Sequence, residues 1–418
     1  QRVLVVGSFL RKDHPLLAQR LRQAARRGAQ VISLHAVHDD WLMPVAQRIT
    51  AAPSQWLQSL ADIACVVGES TGAAAPMAGT ATEAARAAAA ALLSGERKAV
   101  LLGHAAVQHP QAAELLSLAG WIATQTGATV GVLGEAANSV GAQLVDALPG
   151  AGGLDVAGML AQPRKALLLL NVEPVLDVAN PASAHAALQQ AEMVIAFTSF
   201  KDAAVEGADV LLPIAPFTET SGTFVNAEGR VQGFHGVVKP LGDTRPAWKV
   251  LRVLGNLLGL SGFDFETTEQ VRAEALGDEA SLPSRLSNAV AVPLRASPVP
   301  QGALERLADV PIYATDALVR RASSLQLTAD ARPPQVGLPS GLWASLGLRP
   351  GDRVKVVQGA AWAALPARLE PSLAEGVVRV PAGHPDTSGL GTMTGSLTVE
   401  RVASVEAASA QAQPVGVA

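Results

Sequence analysis

From residue 1 to about residue 215, short apolar runs alternate with helix-length segments rich in Ala, Leu, Arg and Gln, the pattern of parallel βαβ units. Residues 2–7 read as the first strand. In residues 14–27, Leu17, Leu21 and Ala24 recur at helical spacing beside Arg20, Arg22, Arg26 and Arg27, and Gly28 closes the helix before a second strand at 30–34. Further strands are expected at 64–68, 99–103, 129–133, 166–171, 193–198 and 210–214. Their near-continuous Val, Leu and Ile content suits strands covered on both faces. Helices are expected at 81–93, 112–126 and 184–190, where alanine loses no side-chain entropy.

The texture changes after about residue 260. Scattered Gly, Pro, Ser and acidic residues up to 310 read as a linker with one short helix at 267–276. From Tyr313 onward short β-like runs dominate, with strands expected at 354–357 and 376–380 and a Pro-Gly turn at Pro350 and Gly351 before the first. The expected fold class is therefore α/β: mostly parallel sheets with flanking helices over residues 1–260, an arm over 261–311, a small β-barrel over 312–405, and a disordered Ala/Gln/Pro-rich tail over 406–418.

Composition narrows the function classes. Of 418 residues, 49% are hydrophobic and 16% charged, too apolar a mix for a disordered chain. A net charge of −4, with 6 Trp, 8 Phe and a single Tyr, offers neither the field nor the stacking platforms that nucleic acid needs. The lone Cys65 excludes an internal disulfide and any thiolate-bound iron–sulfur cluster within these residues, and fits a reducing compartment. The longest apolar run, 87–93, is far too short to span a bilayer, so no membrane insertion is expected. Gln1 leads directly into a strand with no signal peptide, which reads as part of a longer polypeptide.

Several segments could carry chemistry. Residues 68–72 would form a loop between a strand and a helix, its amides facing an anion; an ordinary turn is the plainer reading. Gly7, Gly103 and Gly131 sit at equivalent strand ends, yet none completes a dinucleotide fingerprint. His35, His38, Asp39 and Asp40 could begin a metal site, although a solvated loop is the more economical account. Cys65, inside an expected strand, reads as an inert small hydrophobe. The densest stretch is 208–232, where Gly222, Thr223, Asn226, Glu228 and Arg230 crowd a segment that is neither helical nor alternating. Its polar groups must pair internally, Arg230 with Glu219 or Glu228, or with a ligand; from spacing alone the two alternatives stand level.

At these residues the chain resembles a known family. Residues 208–213 and 219–232 resemble the signature of the molybdopterin-dependent oxidoreductases, relatives of formate dehydrogenase and nitrate reductase. Residues 236–251 narrow the resemblance to the large iron–sulfur subunit of bacterial NADH:quinone oxidoreductases, and it extends to residues 7–15, 138–141 and 346–354. The resemblance implies a scaffold domain in the peripheral, cytoplasm-facing arm of a membrane-bound respiratory complex, partnered by other subunits of that arm. It also implies iron–sulfur clusters in an N-terminal region outside these residues, and no cofactor in this segment. In that reading the 219–251 segment closes the old cofactor cleft, with Arg230 and Glu228 as buried partners. The alternative implied is a molybdopterin guanine dinucleotide enzyme in which Gly222, Thr223, Asn226 and Arg230 line the pterin.

Overall fold

The unbroken run of apolar or small positions from Val3 to Leu10 leaves the first strand nothing to show to water, and it becomes the centre of a sheet. In the computed structural model, which describes residues 1–202, 207–295 and 303–402, strands β1 (Arg2–Val6), β2 (Gln30–His35), β3 (Gln47–Thr50), β4 (Lys98–Leu102) and β5 (Thr129–Val132) form an all-parallel sheet in the order β3-β2-β1-β4-β5. The strand order reverses between β1 and β4, the position where open α/β sheets bind ligands at their carboxyl ends. Helix Pro15–Arg26 forms where its periodicity placed it, and Glu83–Ser94 and Ala112–Thr126 where their alanine content did. Thr82 caps the second of these by accepting from the Ala85 N–H, and Gly127 ends the third in the left-handed region.

One expected strand is a helix. Residues 64–68 lie inside Trp56–Thr71, in which Trp56, Leu60, Ala61, Ile63, Ala64 and Val67 are buried at helical spacing. The five-residue run Ala-Cys-Val-Val-Gly is strand-like in composition, but the apolar positions on its N-terminal side continue with period 3.6 and decide the outcome. Residues 68–72 are consequently the helix's carboxyl end, closed by Gly72 at φ 77° with its N–H donating to the Gly68 carbonyl. That end of a helix presents carbonyls and repels anions, so the expected anion loop is not there. Cys65 sits half-buried on the same helix, its Sγ 3.8 Å from the Glu69 carboxylate.

The chain divides into two units, residues 1–133 with those from 288 onward, and residues 134–287. The second holds a three-stranded parallel sheet, β6 (Ala166–Leu170), β7 (Met193–Thr198) and β8 (Val210–Pro213), followed by an antiparallel hairpin of β9 (Gly222–Val225) and β10 (Val231–Phe234). Helix Thr268–Leu276 opens with a capping box between Thr267 and Gln270.

The remaining strands close a six-stranded barrel in the first unit: β11 (Leu304–Leu307), β12 (Val336–Leu338), β13 (Arg353–Gln358), β14 (Ala361–Leu369), β15 (Val377–Arg379) and β16 (Ser396–Arg401), in the order β11-β15-β12-β14-β13-β16. Strand β11 comes from the stretch expected to be an arm. Its Leu307, with Leu373, Ala374 and Val377, joins the hydrophobic core beneath the parallel sheet, alongside Trp56, Leu60 and Leu115. The expected tail at 406–418 lies outside the described residues.

Candidate functional site

The carboxyl ends of β1 and β4 carry Gly7 and Gly103, and the structure explains both by packing. Gly7 has φ 58°, and a Cβ there would lie 2.6 Å from the Ala106 nitrogen and 2.8 Å from the Trp56 ring. A Cβ on Gly103 would lie 2.2 Å from Ser8 Cβ. Trp56, Phe9 and His35 fill the rest of this end, stacked edge to face at 4.7 Å (Phe9–His35) and 5.5 Å (His35–Trp56). Beside Trp56, a cavity lined by His109, Gln108, Arg306 and Thr394 measures about 20 Å³, room for a water molecule and not for a pterin.

The four residues weighed as a metal site go to separate partners. His35 is buried; its Nδ1 accepts from the Ala36 N–H at 2.9 Å, and burial followed by the nearby Arg379 charge pushes its pKa down to about 3. The ring is neutral, with its proton on Nε2. His38 meets the Thr50 hydroxyl, Asp39 pairs with Arg379 at 2.9 Å, and Asp40 accepts from the Leu42 N–H at 2.8 Å. Among the described residues no three His, Cys, Asp or Glu side chains converge as metal ligands.

Sequence reasoning missed the strongest charge cluster of this unit. Arg379 on β15 donates through Nε and Nη2 to both oxygens of Asp309, at 3.1 and 2.8 Å, and through Nη1 to Asp39 at 2.9 Å and Glu370 at 3.0 Å. Its guanidinium also lies 4.7 Å over the Phe9 ring. Burial pushes Asp309 up, but the bidentate guanidinium more than offsets that and holds it below the usual carboxylate range. Three carboxylates against one guanidinium leave an excess of negative charge, which Arg368 reduces by pairing with Glu370 at 2.8 Å. Asp13 feels the same cluster: its pKa is raised to about 6, first by burial and further by Asp309 and Asp39, against the pull of His104 at 3.5 Å. The sequence signal for this cluster was weak, since its members lie at 13, 39, 104, 309, 370 and 379.

In the second unit the 219–232 segment is a hairpin whose two strands pair with each other, with Val225 buried and the turn residues Glu228 and Arg230 exposed. Asn226 builds the turn: its Oδ1 accepts from the Glu228 N–H at 3.0 Å and the Arg230 N–H at 2.9 Å, while Gly229 takes φ 80°. Asn226 is thus committed to the backbone and is not available to line a ligand through that oxygen. Gly222 faces Phe234, whose ring would meet an added Cβ at 2.7 Å. Glu219 accepts from the Leu241 N–H at 3.0 Å. Arg230 and Glu228 are both exposed, and among the described residues the Arg230 guanidinium has no carboxylate partner, which corrects both the expected ion pair and the expected buried pair. What the hairpin offers a ligand is therefore the Arg230 guanidinium and the Thr223 hydroxyl, donors suited to a phosphate or a polar ring edge. Residues 138–141 hold this hairpin: the Asn138 Oδ1 accepts from the Val225 N–H at 2.7 Å, and Gly141 leaves room for the Asn138 side chain.

Residues 1–257 match the family described as Molybdopterin oxidoreductase. An NADH-quinone oxidoreductase subunit of Streptomyces coelicolor is 32% identical over 271 residues, covering 58% of this chain and 31% of its own length. A probable oxidoreductase of Bacillus subtilis, YjgC, is 33% identical over 111 residues, 27% of this chain and 11% of that protein. A putative formate dehydrogenase of Staphylococcus aureus is 36% identical over 75 residues, 18% of this chain and 8% of its own length. The matched stretches thus span under a third of these curated relatives. Among solved structures, acetylene hydratase from Pelobacter acetylenicus superposes with a TM-score of 0.70 at 13% identity, over 96% of this chain and 78% of that one, a likeness of fold. These findings correct the expectation that the segment carries no cofactor: the matched family is one of molybdopterin oxidoreductases, and the formate dehydrogenase relative matches as well.

Proposed function

The chain belongs to the molybdopterin oxidoreductase family, and on that premise we propose that it is the cofactor-holding part of a larger subunit of the NADH-quinone oxidoreductase kind, working in a multi-subunit assembly that moves electrons from NADH to quinone. The observation that carries the reading is the β9–β10 hairpin. Its Arg230 guanidinium is exposed and free of carboxylates among the described residues, while its backbone is locked by Asn226 and Asn138, so that a cation is held ready for an anionic partner. Arg230 would hold a phosphate of a pterin nucleotide, and Thr223 would donate to its polar rim. When bound, such a cofactor supplies the redox chemistry; the chain's own contribution is binding and orientation.

The wider assembly follows from the same premise. With one cysteine here, the iron–sulfur clusters of the electron path would lie in further polypeptide or in neighbouring subunits. No helix among the described residues is long and apolar enough to cross a membrane, and the chain would sit in the peripheral arm on the cytoplasmic side.

The test uses the natural full-length protein. Extracted pterin, oxidised and measured by fluorescence, is expected in the parent and at least tenfold lower in Arg230→Ala, with partial recovery in Arg230→Lys. Equal content in parent and Arg230→Ala, or none in either, overturns the assignment. A second reading is favoured by the formate dehydrogenase relative. Reduction of a soluble quinone with NADH as donor supports the first; reduction that needs formate transfers the chain to the second.

A further inference from the structure

A buried guanidinium is ordinarily met by a carboxylate, because the stabilisation that water gave the charge has to be replaced. Arg379 meets three of them, Asp39, Asp309 and Glu370. Arg306 on β11 meets none among the described residues. It is 3% exposed, and every acceptor it finds is neutral: Nη1 donates to the Gln358 Oε1 at 3.2 Å and to the Gly391 and Thr392 carbonyls at 3.1 and 2.8 Å, while Nη2 reaches the Val380 and Pro381 carbonyls only at 3.5 Å. Its Nε–H has no acceptor among the described residues. Glu305, its neighbour on the strand, points to the other side of β11 and accepts from the Ser54 N–H at 3.0 Å and the Ser54 hydroxyl at 2.5 Å. Burial lowers the Arg306 pKa to about 10 with no carboxylate opposing it, and the group is still a full cation at pH 7.

The same arginine lines the cavity beside Trp56. Two further donors of that wall, the Gln108 carboxamide and the Thr394 hydroxyl, make no hydrogen bond among the described residues. Trp56, Leu307 and Met393 make much of the rest apolar, the Trp56 Nε1–H is spent on the Ala51 carbonyl at 2.9 Å, and no Asp or Glu lines the cavity. We infer that this cavity is a binding site for a small monovalent inorganic anion of halide size, with Arg306 supplying the charge and Gln108 and Thr394 the remaining donors. A volume of about 20 Å³ admits one such ion or one water molecule. The charge selects the ion. A water molecule would accept from an unused donor and leave the buried cation uncompensated; an anion does both, between apolar walls that screen the pair far less than bulk water does.

The test again uses the full-length protein, in potassium chloride and in potassium gluconate at equal ionic strength. It follows, by mass spectrometry, amide exchange in residues 391–395, which Arg306 and Gln358 tie to the barrel. An anion that binds only the closed form slows local opening by the factor 1 + [Cl⁻]/Kd, so exchange about threefold slower in chloride is expected in the parent, with no difference between the salts in Arg306→Gln. Thr394→Val keeps the guanidinium and guards against misfolding; it is expected to lose most of the difference as well. Equal exchange of the parent in the two salts overturns the inference, and so does a chloride effect that persists in Arg306→Gln, or in Thr394→Val where the arginine variant does not fold. Crystals grown in bromide should show anomalous density in the cavity beside Arg306. A water molecule at that position, or bromide density without the effect in solution, which is binding at crystal concentration only, overturns it too.

Discussion

Asp13 should make the first unit less stable as pH rises from about 4 to about 6. It is the last residue of the short helix Leu10–Asp13, its side chain is 10% exposed, and its pKa is raised from 3.8 to about 6, chiefly by burial. A carboxyl with a raised folded-state pKa binds its proton more tightly folded than unfolded, so its favourable contribution exists at low pH and is lost between the unfolded and folded values. A shift of about 2 units at 1.36 kcal/mol each gives a loss of about 3 kcal/mol, complete by about pH 7. Asp13→Asn keeps the shape and cannot ionise. In urea unfolding of parent and variant side by side from pH 4 to 7, the two should be nearly equal at pH 4, and the variant should gain up to about 3 kcal/mol over the parent by pH 7. The difference reports Asp13 together with its coupling to His104, Asp309 and Asp39, the charges it faces. A difference that stays constant across this range refutes the reasoning, since it would mean that Asp13 titrates alike in folded and unfolded chains.

Two further outcomes test the packing that positions the sites. Arg379→Met leaves Asp39 and Asp309 without their guanidinium and Glu370 with Arg368 alone, and should cost about 3–5 kcal/mol in urea unfolding at pH 7, part of it recovered by adding Asp309→Asn. Asn138→Ala removes the acceptor of the Val225 N–H and should cost about 1–3 kcal/mol, with faster amide exchange in residues 222–234 as its local signature.

Most of the parallel strands were legible because burial on both faces writes itself as an unbroken apolar run, and the helix at 83–94 because its alanine content is plain in the sequence, whereas the caps Thr82 and Thr267 emerged only from the structure. The failure at residues 64–68 has a simple origin: a five-residue window cannot distinguish a buried strand from the middle of a buried helix, and the deciding positions, Trp56 to Ile63, lay upstream. The hairpin at 219–232 could be located but its pairing could not, because whether Asn226 serves a turn or a ligand depends on backbone angles that composition does not carry. The Arg379 cluster was invisible for another reason. Asp39 and Arg379 are 340 residues apart, and a charge contact of that span leaves no local pattern.

The core shared by the parallel sheet and the barrel sets the order of assembly. Trp56 and Leu60 cannot be sealed until Leu307, Leu373 and Val377 have been synthesised, so a nascent chain holds the underside of its first sheet open while the second unit emerges. The second unit leaves at residue 133 and returns at 288, where the Asn288 side chain already donates to the Val130 carbonyl at 3.2 Å. It is an insertion between adjacent points of one core. If residues 134–287 fold first, the long loop between sheet and barrel becomes a short tether, and the closure cost, which grows by about 0.6 kcal/mol per doubling of loop length, falls accordingly. The inserted unit then acts as a folding aid for the unit whose sequence flanks it.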